Sequence, residues 1–112
     1  MLMIRNYFTV TVLGLCSMTA PAFADSTKAY CSLSYHEEAI KRMHIAVPVM
    51  DGPCIFSQYQ GNVYINEFNW YKFAFPYEDD GKAYIRIDKP GGISFIRERE
   101  YTLNVFWQKP FR

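Results

Sequence analysis

The chain has 112 residues, and its 12 lysines and arginines against 11 aspartates and glutamates give a formal net charge of +1 at pH 7. This balance contains no basic block, so a nucleic-acid partner is not expected, because phosphate contacts need clustered lysine and arginine. It equally gives no reason to expect an anionic membrane surface as partner. The length is that of one small domain.

The first 24 residues predict a secretory signal peptide. Arg5 supplies the early positive charge, Tyr7–Met18 forms an uncharged apolar run, and Ala22-Phe23-Ala24 provides small residues where a signal peptidase cleaves. The apolar run is shorter than the roughly 20 residues that span a bilayer. We therefore expect signal peptide 1–24 to be removed, leaving a single β domain, 25–112, that has no membrane span and is periplasmic or secreted in a bacterium.

Two cysteines remain after such cleavage, Cys31 and Cys54, because Cys16 would leave with the signal peptide. An even pair in an oxidising compartment predicts a disulfide. Closing the loop between them would stabilise the domain by about 3 kcal/mol in the chain-entropy model. The alternative, reactive thiols or metal ligands, is not favoured, because the sequence contains no C-x-x-C motif.

Turn signals recur along the rest of the chain at the spacing typical of an antiparallel β domain. They are Asp51-Gly52-Pro53, Gln60-Gly61-Asn62, Asp79-Asp80-Gly81 and Pro90-Gly91-Gly92. The intervening aromatic and β-branched runs predict strands near Ala29–Tyr35, Met43–Met50, Cys54–Tyr59, Asn62–Asn66, Trp70–Phe75, Lys82–Asp88, Ile93–Arg97 and Tyr101–Trp107. The predicted fold class is all-β: a small antiparallel meander that forms a sandwich or a partly open barrel, with one disulfide.

One segment allows a helix. Ser34-Tyr35-His36-Glu37 resembles a capping box before Glu38-Ala39-Ile40-Lys41-Arg42. A short helix and a hairpin connection are both compatible with this segment.

The strand patterns also predict which side chains face the core. Tyr71, Phe73 and Phe75 alternate with Trp70 and Lys72. Phe106 likewise lies opposite Leu103 and Val105. Most aromatic residues are expected in the core, Phe56, Phe73, Phe75 and Phe95 among them. The aromatic residues left on the other face would either cover a second sheet or form a contact surface, for which we name Trp70, Lys72, Tyr84, Arg86 and Phe106 as the candidate binding face.

The sequence pattern that contains both cysteines resembles a known group. Cys31 is followed by Gly52-Pro53-Cys54-Ile55-Phe56-Ser57-Gln58 and then by Gly61, Val63 and Ile65. This arrangement resembles small secreted bacterial proteins of unknown function that share the Gly-Pro-Cys-x-Phe-Ser-Gln segment and end in a strand with a terminal aromatic residue. It is loosely similar to periplasmic lysozyme inhibitors, although the Ser-Gly-containing loop of the membrane-bound inhibitors is not present. The resemblance implies a disulfide-linked β fold and names no activity.

No catalytic or metal site is predicted, and we expect a protein that is not an enzyme and needs no cofactor. The serines lack a Gly-x-Ser-x-Gly setting, and bonded cysteines cannot act as nucleophiles. The leading hypothesis is a small binding module that acts by protein–protein contact, including inhibition of an envelope or wall-degrading enzyme. The alternative is a small-ligand or metal carrier that uses His36, His44 and the acidic turn Glu78-Asp79-Asp80-Gly81.

Overall fold

The computed structural model describes residues 26–110, so the predicted signal peptide lies outside the described residues. The elements are β1 (Thr27–Tyr35), α1 (Glu37–Met43), β2 (Val49–Tyr59), β3 (Asn62–Phe68), β4 (Tyr71–Phe75), a 3-10 turn (Tyr77–Asp79), β5 (Ile85–Lys89), β6 (Gly92–Arg97) and β7 (Tyr101–Phe106). Within residues 26–110, no helix is both long enough and apolar enough to cross a membrane.

The strands form one antiparallel sheet in the order β4-β3-β2-β1-β7-β6-β5. One meander, β1 to β4, extends from the centre to one edge, and a second, β5 to β7, returns from the other edge to pair with β1. The sheet curls into a half-barrel. The all-β prediction is therefore confirmed, and of its two forms the structure adopts the partly open barrel.

The central strand β1 aligns the apolar face of the sheet. Leu33 lies opposite Met50 in β2 and Leu103 in β7, and Cys31 lies opposite Gly52 and Val105 in the same two strands. Successive side chains of a strand point to opposite faces, and residues that pair across strands share a face. This register therefore puts Cys31, Leu33, Leu103 and Val105 together on the concave side. The buried cluster there contains Cys31, Leu33, Cys54, Phe56, Val63, Ile65, Phe68, Phe75, Tyr84, Ile93, Phe95, Leu103 and Val105.

The predicted disulfide is confirmed. Cys31 and Cys54 are bonded diagonally across β1 and β2, and their Cα atoms are 5.9 Å apart. Both side chains belong to the buried cluster. The bond therefore connects the two central strands from inside the core.

The gap between the two edge strands is crossed by residues 76–84. The Tyr84 hydroxyl donates hydrogen bonds to the carbonyl oxygens of Phe75, at 3.2 Å, and Pro76, at 2.7 Å. Its ring packs edge-on against Phe75 and Phe95. Tyr84 thus joins the end of β4 to the start of β5. Within the described residues, these two edge strands form no ladder hydrogen bonds with each other.

The predicted strand Met43–Met50 is wrong. Met43 ends α1, and His44 follows in the left-handed conformation with φ 52°, so that its backbone N–H bonds the carbonyl of Ile40. A left-handed residue interrupts an extended strand, and β2 begins only at Val49. The helix alternative is the correct one, but its N-cap is His36, without a side-chain cap bond, and the proposed capping box does not form.

The predicted turn Asp51-Gly52-Pro53 is also wrong, since these residues lie inside β2. Gly52 pairs with Cys31 and Pro53 with Tyr30. Pro53 is tolerated because its missing N–H faces β3, beyond the last pair between β2 and β3, Ile55 with Asn66.

Two predicted strands start too early. Trp70 lies in the turn before β4, and residues 81–83 form a turn before β5, followed by Tyr84 in an isolated bridge with Asp80. In the second segment a local hydrogen-bonded turn takes precedence over the extended pattern, because Ala83 N–H bonds the Asp79 carbonyl and Gly81 N–H bonds that of Tyr84.

Candidate functional site

The five residues of the predicted binding face do not share one surface. Lys72 and Phe106 project from the convex face, on β4 and β7, with β3, β2 and β1 between their strands. Trp70 occupies the hairpin turn that precedes β4. Tyr84 and Arg86 belong to the concave side, where Tyr84 is a member of the buried cluster and Arg86 pairs with Phe95.

Tyr84 is not available to a partner. Only 3% of its surface is exposed, and its hydroxyl is engaged by two backbone carbonyls. Burial is the main cause that raises the pKa of Tyr84 above its ordinary value, and the negative charge of Asp80 adds to the effect. Its role is structural, in closing the barrel.

Arg86 is held within the half-barrel. Its Nη1 donates to Gln58 Oε1 at 3.2 Å, and its Nε donates to Asp88 Oδ1 at 2.9 Å. The guanidinium also lies 5.9 Å from the centre of the Phe95 ring. These contacts connect β5 to β2 across the concave side and leave Arg86 as a second closing residue.

Phe106 lines a shallow depression on the convex face. The depression has a volume of about 210 Å³ and is bordered by Lys89, Ser94 and Asn104. The Ser94 hydroxyl and the Asn104 side chain hydrogen-bond each other there. The Ser94 hydroxyl and the Asn104 amide oxygen are therefore engaged with each other rather than directed to a ligand.

The residues of the predicted carrier site are not brought together as a metal site. His36 and His44 cap opposite ends of α1, about 12 Å apart at the helical rise per residue. His36 Nε2 instead lies 2.9 Å from Thr102 Oγ1. Across residues 26–110, no group of three or more histidine, cysteine or acidic side chains is placed to hold a metal ion.

Trp70 is the most exposed of the large apolar side chains in the described part of the chain, at 97%. It occupies the two-residue turn between Phe68 and Tyr71, which pair across the hairpin. Asn69 takes a left-handed conformation, with φ 56°, and its Nδ2 lies 3.4 Å from Met50 Sδ. Phe68 is fully buried. The turn is thus held by Phe68 and Asn69, the two residues before Trp70, while the indole projects into solvent.

The same end of the sheet carries further exposed apolar residues. In an antiparallel sheet, the end of β1, the start of β2 and the β3–β4 turn all lie at one end, which we call the α1 end. Val47 and Val49 are each more than half exposed there. Their exposure was missed from the sequence because their alternation with Ala46 and Pro48 resembles a half-buried strand. Together with Trp70 they form what we call the tip patch.

A cluster of tyrosines supports the α1 end from inside. The Tyr35 and Tyr101 rings pack edge-on, with centres 6.2 Å apart, and Phe73 packs against Tyr101 at 5.4 Å. Arg97 Nε donates to the Tyr101 hydroxyl at 3.0 Å. Burial is the largest cause that raises the pKa values of Tyr35 and Tyr101, so both rings remain neutral at physiological pH. This packed aromatic cluster includes the last residue of β1 and the first residue of β7, which pair at the same end of the sheet as the tip patch.

Comparison with known proteins assigns no family to this chain. It matches no protein-family model, no curated protein and no solved structure at a significant level.

Proposed function

We propose that the protein is an exported binding module that acts by protein–protein contact, with Trp70 as the residue that anchors the partner. The observation that carries this proposal is the position of Trp70: 97% exposed, on a two-residue turn that directly follows the fully buried Phe68 and is closed by the pairing of Phe68 with Tyr71. Tryptophan is enriched among the residues that dominate binding energy, because it buries a large area with few rotatable bonds.

Rigidity of the turn matters as much as exposure. Ordering a mobile loop on binding opposes association, whereas a turn already held by Phe68 and the Asn69–Met50 contact loses little freedom. The valines of the tip patch lie at the same end of the sheet and add exposed apolar area that a partner would bury together with the indole. We infer that the tip patch inserts into a concave site on the partner.

A partner outside the cytoplasm is consistent with the disulfide, because such bonds persist in oxidising compartments. A projecting hairpin tip suits the cleft of an enzyme, so we propose inhibition of an envelope or wall-degrading enzyme as the form of contact to test first.

The proposal is tested with exported, oxidised protein and two variants, Trp70→Ala and Tyr77→Ala. Tyr77 is a matched control because it is another exposed aromatic residue, placed next to the β2–β3 turn at the other end of the sheet. Circular dichroism and thermal unfolding establish that both variants fold. Affinity for a partner captured from envelope extract should fall about tenfold or more in Trp70→Ala and stay unchanged in Tyr77→Ala.

The enzyme arm measures hydrolysis of cell-wall material by lysozymes and lytic transglycosylases with and without the protein. Inhibition that is lost in Trp70→Ala supports the proposal in its inhibitor form. A captured partner that binds Trp70→Ala as tightly as the native protein, or that loses affinity only in Tyr77→Ala, would contradict it.

A further inference from the structure

Strand β5 is an edge of the sheet. In the part of the chain that the structure describes, it pairs with β6 alone, and an unpaired strand edge is a template for pairing with another chain. Natural sheets usually protect such edges with charges, proline or a covering loop. Here residues 76–84 cover the beginning of β5. Asp80 and Tyr84 form an isolated bridge in which Gly81 N–H bonds the Tyr84 carbonyl, and the Arg86 N–H donates to Asp80 Oδ1.

The bond to Asp80 identifies which backbone groups point away from the sheet. Because Arg86 N–H is directed to Asp80 rather than to β6, and directions alternate along a strand, the N–H and carbonyl of Asp88 also point outward. Ile85, Ile87 and Lys89 use their backbone groups toward β6, consistent with the two-residue turn that joins Lys89 to Gly92.

Two of the three side chains on the outer face of this edge are apolar, and the third is Lys89. Ile85 is 48% exposed and Ile87 is 42% exposed, both on the convex side of an edge strand. Arg86 and Asp88 lie on the other face and already form an ion pair at 2.9 Å. The edge therefore carries Ile85, Ile87 and Lys89 on the outer face, and Arg86 and Asp88, one positive and one negative charge two residues apart, on the other face.

We propose that two copies of the chain associate through β5, antiparallel to each other, with the two-fold axis at Ile87. In that register Arg86 of each copy lies opposite Asp88 of the other, so that both cross-strand pairs have opposite charges, which stabilise antiparallel neighbours. The two Ile87 side chains meet on the convex face. The occupant of the edge is thus a second copy of this chain, in a closed two-fold arrangement.

Charge also disfavours the neighbouring registers. An axis at Asp88 sets two carboxylates directly opposite each other, and an axis at Arg86 sets two guanidinium groups opposite each other; both are destabilising. The axis at Ile87 also agrees with the backbone, since Arg86 and Asp88 carry the outward N–H and carbonyl groups that would form the new bonds. Arg86 N–H exchanges Asp80 Oδ1 for the Asp88 carbonyl of the second copy.

The register is tested by cysteine cross-linking of the exported full chain. Ile87 in the two copies would form a pair without ladder hydrogen bonds, with Cα atoms about 4.5 Å apart, inside the range that a disulfide accepts. Ile85→Cys is the matched control, because its two copies would be about 13 Å apart along the strands. Under mild oxidation, Ile87→Cys should give a covalent dimer joined through residue 87, as mapped by mass spectrometry, and Ile85→Cys should not.

The association itself is tested without added cysteine. Sedimentation equilibrium should show a concentration-dependent dimer for the native chain and a monomer for Ile87→Lys, with unchanged circular dichroism. A native chain that stays monomeric at its highest soluble concentration would overturn the proposal. Equal cross-linking of Ile85→Cys and Ile87→Cys would also overturn it. Neither result depends on Trp70, so binding through the tip patch is judged separately.

Discussion

The rings of Phe75 in β4 and Phe95 in β6 stack with centres 4.2 Å apart and planes inclined by 8°. Their strands are separated in the sheet by β3, β2, β1 and β7. Two side chains so far apart in the sheet can touch only because the sheet curls until its halves meet. This stack, together with Tyr84, is therefore what makes a curved sheet into a half-barrel.

We expect the stacked pair to be energetically coupled. In a double-mutant cycle with Phe75→Leu and Phe95→Leu, the coupling free energy of unfolding should be about 0.5–1.5 kcal/mol, because aromatic pairs contribute beyond the area they bury. Urea unfolding of the four proteins measures it. Phe95→Leu combined with Trp70→Ala is the control and should be additive, since Trp70 is exposed. Additivity of the Phe75 and Phe95 changes would mean that the two halves do not meet in this way.

The Tyr84→Phe variant should have a lower free energy of unfolding than the native protein at neutral pH, and this difference should shrink at alkaline pH. The variant loses the hydrogen bond that the single hydroxyl proton shares between two carbonyls, which should lower the free energy of unfolding by about 1–2 kcal/mol. The pKa of Tyr84 is raised by folding, so its contribution is fully present below the unfolded pKa of about 10 and disappears as pH rises through the folded pKa.

Urea unfolding at about pH 7 and about pH 11 measures both effects, with the difference between native and variant shrinking at the higher pH. Tyr77→Phe is the control, because Tyr77 is exposed and its substitution should change neither value. If the difference in unfolding free energy between the native protein and Tyr84→Phe is as large at alkaline as at neutral pH, the hydroxyl is not what closes the gap between β4 and β5.

Gly92→Ala should be strongly destabilising, whereas Gly91→Ala should be tolerated. A Cβ atom at Gly92 would overlap the carbonyl oxygen of Val105 in β7, whereas a Cβ at Gly91 would meet no atom within 4 Å. Overpacking against the backbone typically costs about 1–3 kcal/mol or more. Thermal unfolding of the two variants compares neighbouring positions with the same chemical change. Equal unfolding temperatures would mean that β6 and β7 approach less closely than the structure shows.

Removal of the disulfide should lower stability without changing the sheet. The Cys31→Ala, Cys54→Ala double variant should lose about 3 kcal/mol of unfolding free energy, because the unfolded chain regains the freedom of the closed loop. Chemical denaturation measures the loss, and thiol titration of unfolded native protein should detect neither Cys31 nor Cys54 as free. Detection of both as free thiols in the exported protein would contradict the compartment as well as the bond.

Much of the sheet follows from patterns that are local in the chain. The period of two in Tyr71–Phe75 and Tyr101–Phe106 determines which side chains share a face, and the burial of Phe75, Leu103 and Val105 confirms it. The two-residue turns at Gln60–Gly61 and Pro90–Gly91 were likewise recognisable from their residues. The cysteine pair followed from counting, since only two remain after the expected cleavage.

The candidate site could not be derived in the same way. Apolarity suggests that Ile85 and Ile87 are inside and that Tyr84 and Arg86 are outside, but the structure has the reverse. When both faces of a strand carry apolar and polar residues, the alternation does not show which face is concave. That depends on the side chains that other strands place across the half-barrel. Here Phe75 and Gln58 provide the partners that draw Tyr84 and Arg86 inward.

The amino-acid sequence by itself determined the β class, the disulfide and the division of several strands into two faces, because each depends on neighbours a few residues apart or on residue counts. Only the tertiary structure decided the helix between β1 and β2, the continuation of β2 through Gly52 and Pro53, the closure by Tyr84, and the exposure of Trp70, Val47 and Val49. These features arise where segments distant in sequence meet, and their free energies come from contacts that no local pattern contains.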